Sequence, residues 1–478
     1  MIPRSRSLPW LAVLAVLVAR SPALADSAQG AGGDASATSA VSAAPTSSAA
    51  GAVDELERRV KALEQLRDRD KEADAKKADA VIVTANAKDG FSLKSADGAF
   101  ALKLSGLVQT DVRVFVDDDE TPLATTLLVR RARPIVEGTV YKYFEFKLVP
   151  DFGGGTAVIQ DAYADIKPLA ELALRTGKFK APVGLERLQA DTYTLFVEPA
   201  LPTALVPNRD VGAQLFGEIA GVVSYQVGVF NGVADGASAD VESLDDKDVA
   251  ARIYATPFKK TDIAALQDFN LGIAGSFGSQ HGSLTSPNLP SYKSFGQNTF
   301  FRYRSDATAT SAATAAGTAY AAGERNRFTP QLYWAWGPGS VLAEYVRSTQ
   351  EVKLAASKAK VDADAWSVTV AYVVTGEKAS FKGVQPAAPF DPSESHWGAL
   401  ELVARYDELT VADEAFPTFA DPAKAAREAR EWGVGCNWHL TRIFKAALDF
   451  NRTEFRGGAK GGNRETENAL LTRLQAQF

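Results

Sequence analysis

The chain has 478 residues, 46% hydrophobic and 23% charged, and its 52 basic and 58 acidic residues give a formal net charge of −6. That acidic balance argues against nucleic acid as a partner, because neutralising phosphates requires basic surface. No run of about 18 apolar residues occurs beyond the N-terminus, which excludes a helical membrane protein, and the single cysteine, Cys436, permits neither an internal disulfide nor a thiolate metal site.

Residues 1–25 read as a secretory signal. Arg4 and Arg6 precede the apolar stretch LPWLAVLAVLVA, and Ala23-Leu24-Ala25 offers a small-x-small cleavage site. About a dozen apolar residues with a proline among them are too few for an anchor that spans a bilayer. Without this segment 49 basic residues face 58 acidic ones, a net of −9. Residues 26–52, almost all Ala, Ser, Gly and Thr, are expected to form a flexible linker. Within residues 53–78, Val53, Leu56, Val60 and Leu63 fall at the a and d positions of two heptads. Two heptads alone are too short for a stable helix in water. The stretch is either a solvated, partly helical linker or a short coiled-coil helix joining protomers that something else holds together.

From about residue 90 to residue 478 the texture changes to short segments of alternating hydrophobicity, divided by Gly, Asp, Asn, Pro and Ser clusters. In AFALKLSGLVQTDVRVFV (99–116), Phe100, Leu102, Leu104, Gly106, Val108, Val112, Val114 and Val116 share one face, with Thr110 the exception. Lys103, Ser105, Gln109, Asp111 and Arg113 lie on the other. RARPIVEGTVY sets Ala132, Pro134, Val136, Gly138 and Val140 against Arg131, Arg133, Glu137 and Thr139. FEFKLVPDF sets Phe144, Phe146 and Leu148 against Glu145, Lys147 and Asp151. WSVTVAYVV and GVGCNWHL alternate in the same way, so Cys436 is expected to be buried in lipid or core rather than reactive. An all-β stretch of this size is too large for one sandwich, and it lacks the repeat of about 40 residues of a propeller. A closed barrel remains. The final segment, NALLTRLQAQF, ends its apolar face on Phe478. Soluble chains usually end frayed and polar, whereas the closing strand of a membrane barrel ends on an aromatic ring at the lipid interface. The apolar faces are therefore expected to meet lipid, and the polar faces a water-filled lumen.

The pieces LLVRRARPIVEGTVYKYFEFKLVPDF, IQDAYADIKP, LRTGKFKAPVGLERL, NRDVGAQLFGEI, AYVVTGEKASFKGVQP, HWGALELVARYDEL and WGVGCNWHLTRIFKAALDFN follow one another before the terminal Phe478. In this order they resemble the phosphate-selective porin O/P family of bacterial outer-membrane proteins, from about Gly90 to Phe478 and most weakly over residues 233–330. The resemblance implies an all-β fold, a transmembrane antiparallel β-barrel of about 16 strands with short periplasmic turns and longer outer loops. It also implies a homotrimer in the outer membrane, with lipid and small hydrophilic solutes or anions as partners and no cofactor; the N-terminal helix would lie in the periplasm.

The segment RTGKFKAPVGLERLQADTYTLFVEPALPTALVPNRDVG (175–212) breaks strand character with Pro199, Pro202 and Pro207. A connection of some 20 residues in a barrel is usually functional, and this one resembles the family's inward-folding loop that narrows the pore. Lys178, Lys180, Arg187 and Arg209 are then expected at or near the constriction, with Arg113, Arg131, Arg133 and Lys147 on the lumen wall. Arginine suits bidentate capture of phosphate, and lysine acts as a point charge. Against this, Asp111, Glu137, Glu145, Asp151, Asp161 and Asp165 are available to pair with those bases, and VDDDE (116–120) opens the first outer loop with charge that repels anions. Two functions stay open: passage of anions including phosphate, or general diffusion by a porin that also tethers the envelope through its helix.

An outer-membrane enzyme is disfavoured. His281, His396 and His439 are far apart, and no G-x-S-x-G, P-loop or dinucleotide fingerprint occurs. No catalytic, cofactor or metal residue is assigned. An energy-coupled receptor would need a folded plug of 100 residues or more, which residues 26–89 are too short and too simple to supply.

Overall fold

The computed structural model describes residues 46–78, 81–86, 90–116, 123–241, 245–305 and 317–478. The expected signal segment, the linker up to residue 45 and the loop acids 117–120 lie outside the described residues. Helix α1 (Thr46–Ala78) starts inside the expected linker, and as far as Glu72 it belongs to a separate unit of the chain. Leu56, Val60, Leu63 and Leu66 on it are all exposed. The side chain of Val53 lies outside those described.

A hairpin of β1 (Val81–Asn86) and β2 (Gly90–Ser95) leads into the barrel. The barrel's first strands are β3 (Ala101–Val116), β4 (Thr126–Val140), β5 (Phe144–Asp151), β6 (Val158–Ile166) and β7 (Ala173–Phe179). Next come β8 (Asp210–Ile219), β9 (Val223–Phe230), β10 (Asp248–Ala255) and β11 (Asp268–His281). A small separate hairpin, β12 (Ser291–Lys293) with β13 (Thr299–Arg302), interrupts the series. The wall resumes with β14 (Tyr320–Trp336), β15 (Gly339–Leu354), β16 (Ser357–Val373), β17 (Ala399–Val411), β18 (Ala426–His439) and β19 (Phe444–Ala459). A two-residue β20 (Gly462–Asn463) precedes the last strand, β21 (Glu467–Gln477). Setting aside β1, β2, β12, β13 and β20, 16 strands form one antiparallel cycle, each paired with its neighbour in the chain's order. The expected closed antiparallel barrel of about 16 strands is met.

Closure is made by β21 on β3, from Asn468 opposite Val116 to Gln477 opposite Leu107. The last residue completes it. The Phe478 N–H donates to the Gly106 carbonyl at 3.1 Å, and the Gly106 N–H donates to the Phe478 carbonyl at 2.8 Å. A Cβ on Gly106 would lie 2.6 Å from Cζ of the Phe478 ring, so the missing side chain is what lets the terminal ring lie over β3. Phe100, Tyr141, Phe144, Trp336, Trp397, Phe444 and Phe478 are exposed around this end, called the terminal rim below. An exposed aromatic belt of that kind marks a membrane–water interface.

Alternation puts Val108 on the outside, while Gln109 and Asp111 are fully buried within. The wall is uneven: β5 to β10 are 7 to 10 residues long, and β14 to β19 are 13 to 17. The lumen behind the tall wall is filled. The β12–β13 hairpin buries Tyr292, Phe300 and Phe301 against Val346, Val361 and Leu409. Its connecting residues are held by wall carboxylates, with the Phe295 N–H donating to Glu431 at 2.8 Å and the Ser294 hydroxyl to Glu467 at 2.8 Å. The open water path is thereby displaced towards the short wall.

Candidate constriction of the lumen

The connection between β7 and β8, residues 180–209, leaves the rim opposite the terminal one, the far rim, and crosses the lumen. Val183, Leu185, Phe196, Leu201, Leu205 and Val206 on it are all but fully buried, which supplies the driving force for entry. A buried loop must also satisfy its backbone. Wall carboxylates do this: the N–H groups of Leu185, Val197 and Leu201 donate to Glu344, Asp449 and Asp407 at 2.5, 2.6 and 3.3 Å. In return Lys445 donates to the Thr194 carbonyl at 3.0 Å, and Gln109 to the Asp191 carbonyl at 3.1 Å. Gly184, at φ +88°, makes the turn into the short helical stretch Leu185–Leu188.

The loop carries two acidic hubs. Asp191 accepts from Arg133 and lies 3.2 Å from Arg131, 3.8 Å from Lys180 and 4.0 Å from Arg209. Arg133 is shared with Asp151 at 2.7 Å, and Arg209 with Asp161 at 3.0 Å. Glu198, the second hub, receives Arg113 at 2.8 Å and Arg130 at 2.9 Å. Burial alone would raise the Asp191 carboxyl, but Arg131, Lys180, Arg133 and Arg209 overcome it and hold it well below the usual range. Glu198 is brought down to about 2 against the same burial, chiefly by Arg130. Lys180 moves the other way. Burial, with Arg209 and Arg187 nearby, pushes its ammonium down to about 8 despite the pull of Asp191. Arg187 donates to the Thr203 carbonyl at 2.6 Å and, among the described residues, has no carboxylate within 4.0 Å.

Open space lies on both faces of the loop. The cavity towards the terminal rim is about 610 Å³ and is lined by Lys103, Arg133, Lys147, Lys180, Asp191 and Arg209. The cavity towards the far rim is about 410 Å³, with Arg130, Arg187, Glu198, Lys293 and Glu431 on its wall.

Of the eight basic residues expected here, Arg131, Arg133, Lys180 and Arg209 converge on Asp191, and Arg187 stands beside them. Arg113 sits deeper in the Glu198 hub. Lys147 is on the wall towards the terminal rim, paired with Glu137 at 2.6 Å. Lys178 does not reach the constriction, because it turns to Asp240 in the β9–β10 connection at 2.5 Å. Of the six acids expected to pair with these bases, Glu137, Asp151 and Asp161 do so, with Lys147, Arg133 and Arg209, and the others take partners elsewhere. Asp111 makes a two-bond pair with Arg473, both at 2.7 Å, and Glu145 takes Lys167 at 2.5 Å. Partners on the adjacent strand stand closer than residues two apart on one strand.

Three contributors were not foreseen: Arg130 and the two hub acids, Asp191 and Glu198. Arg130 enters the lumen because the β3–β4 register skips it, Gln109 pairing with Arg131 and Thr110 with Val129. Asp191 carries no motif. Its role as hub is visible only once the loop folds back onto β4. Among the described residues no group of three or more His, Cys, Asp and Glu side chains is placed to hold a metal ion.

A family model described as phosphate-selective porin O and P matches residues 102–478. No curated protein matches the sequence. Among solved structures, the chain is similar to the outer membrane channel DcaP of Acinetobacter baumannii, with 10% identity, TM-score 0.51, and 80% of this chain and 99% of that one covered. It is similar to an anion-selective porin from Comamonas acidovorans, with 11% identity, TM-score 0.50, and coverage of 79% and 100%. The trimer form of OmpT, an outer membrane protein of Vibrio cholerae, gives 11% identity, TM-score 0.50, and coverage of 80% and 100%. At these identities the likeness concerns the fold.

Proposed function

The chain belongs to the phosphate-selective porin O and P family, and on that premise we propose that this outer-membrane porin passes small hydrophilic solutes by diffusion with a modest preference for anions. The observation that carries the preference is the constriction itself: Arg131, Arg133, Lys180, Arg187 and Arg209 gather around Asp191, with Asp151 and Asp161 the further acids paired to them. Five cations against three carboxylates leave a net positive eyelet, and a ring of one sign in a narrow pore favours the opposite ion. The same pairing argues against a strong phosphate trap. Bidentate capture requires free guanidinium forks, and Arg131, Arg133 and Arg209 already spend theirs on protein carboxylates. An anion-selective porin among the structural relatives is consistent with this reading.

In this proposal the terminal rim faces the periplasm. The exposed seam of α1 would pair with its copies in a trimer, as the trimeric form of a relative allows, and residues 1–25 would direct export. Reconstituted protein tests the solute range. Liposomes should swell with small neutral sugars as well as with chloride salts, and millimolar phosphate should leave chloride current nearly unchanged. Strong block by phosphate would replace modest anion preference with true phosphate selectivity.

A further inference from the structure

Residues 374–398, which join β16 to β17 at the terminal rim, do not stay there. Ala379 and Val384 are all but fully buried and pack with Leu185 of the constriction loop, Tyr333 and Leu342. The Ala379 N–H donates to the Gly337 carbonyl at 2.9 Å. The Gln189 side chain donates to the Phe381 carbonyl at 2.8 Å. Segments from opposite rims thus meet inside the barrel.

Their meeting leaves a further cavity of about 650 Å³, lined by Tyr193, Tyr254, Tyr333, Phe381, Lys378 and Lys382. Tyr193, Tyr254 and Phe381 also line the 610 Å³ cavity below the constriction, so the two spaces adjoin. The rings are held in place. Phe381 meets Tyr333 edge-on at 5.1 Å. Tyr193 packs over Gly383, where a Cβ would come within 2.9 Å of its ring. Tyr254 lies beside Gly272, where a Cβ would be 2.6 Å from Cδ2. Above Tyr254, at 4.3 Å from its centroid, is the Arg252 guanidinium, whose Nε donates to Gln331 at 2.9 Å. Among the described residues Arg252 has no carboxylate within 4.0 Å, whereas Lys378 is taken by Asp268 at 2.6 Å.

A fixed, uncompensated guanidinium beside aromatic faces suits a ligand that is both anionic and flat. Chloride or phosphate would use the guanidinium alone. We propose that the vestibule on the terminal-rim side contains a subsite for aromatic carboxylates, with Arg252 taking the carboxylate and Tyr254 and Phe381 the ring. It rests on the anion-preferring reading of the channel and narrows it to a solute class.

Single channels of the mature protein in planar bilayers test it, with benzoate, cyclohexanecarboxylate or acetate added on the terminal-rim side. Benzoate should reduce the chloride current at half-blocking concentrations about three- to tenfold below the other two, the range that aromatic contact contributes beyond area. Phe381→Leu and Tyr254→Leu, which keep apolar bulk, should remove that advantage, and Arg252→Gln should weaken block by all three acids. Benzoate blocking no better than acetate, or keeping its advantage in both leucine variants, overturns the subsite while an anion-directed reversal potential leaves the channel reading standing. A cation-directed reversal potential overturns that reading, and the subsite with it.

Discussion

Asp191→Asn removes the one carboxylate on which Arg131, Arg133, Lys180 and Arg209 converge. The amide keeps the shape and still accepts hydrogen bonds, so the loop, pinned independently through Leu185, Val197 and Leu201, is expected to stay in place. The constriction then changes from five cations and three carboxylates to five and two. For an ion passing about 6 Å from the lost charge, Coulomb's law gives about 0.7 kcal/mol in water. Screening over a Debye length of about 10 Å at 0.1 M salt roughly halves it, to about 0.4 kcal/mol. The anion gains this and the cation loses it, so the permeability ratio should move by about 0.8 kcal/mol, about fourfold towards anions. A lower effective dielectric in the eyelet would enlarge the effect. The assay is the reversal potential across a tenfold KCl gradient, variant against wild type. An unchanged ratio, or one moving towards potassium, would refute the placement of Asp191 in the ion path.

Arg187→Gln should lower anion preference while the loop keeps its wall anchors at Leu185, Val197 and Leu201, since among the described residues Arg187 pairs with no carboxylate; reversal potential and heat-modifiable gel mobility read the two effects separately. Lys180 is charged below about 8 and neutral above it, while Asp191 stays ionised throughout. Anion preference should therefore fall as pH rises through that value, and Lys180→Arg should flatten the profile. Gly106→Val would drive a side chain into the Phe478 ring and weaken closure by ~1–3 kcal/mol, seen as unfolding of the barrel at lower temperature in detergent. Deleting residues 26–80 should leave single-channel conductance unchanged and lower the heat resistance of the oligomer, which sodium dodecyl sulfate gels report; intact heat resistance would count against the helix as a joining device.

The wall was legible because a period of two is imposed by the strand itself. Lipid on one face and water on the other leave that period in the residues, as in Val108 against Gln109. The terminal ring was legible for the same reason, and the proline-rich length of residues 180–209 marked a loop with something to do. What the loop touches was not. Asp191 reaches β4, and Val197 reaches Asp449, through contacts that no local pattern encodes. The inward turn of Arg130 depends on one skipped residue in the register, and the diversion of Lys178 on an aspartate in another loop. The entry of residues 374–398 into the lumen rests on two buried side chains, Ala379 and Val384, which no strand period in that segment marks.

The central claim is that a loop-borne cluster of bases gives this outer-membrane channel its preference for anions. The reversal potential of the wild-type channel under a tenfold KCl gradient at neutral pH tests it most directly. The account predicts an open, water-filled conductance whose reversal potential is displaced towards the chloride equilibrium value. A displacement towards the potassium value, or no conductance from properly folded protein, would contradict it.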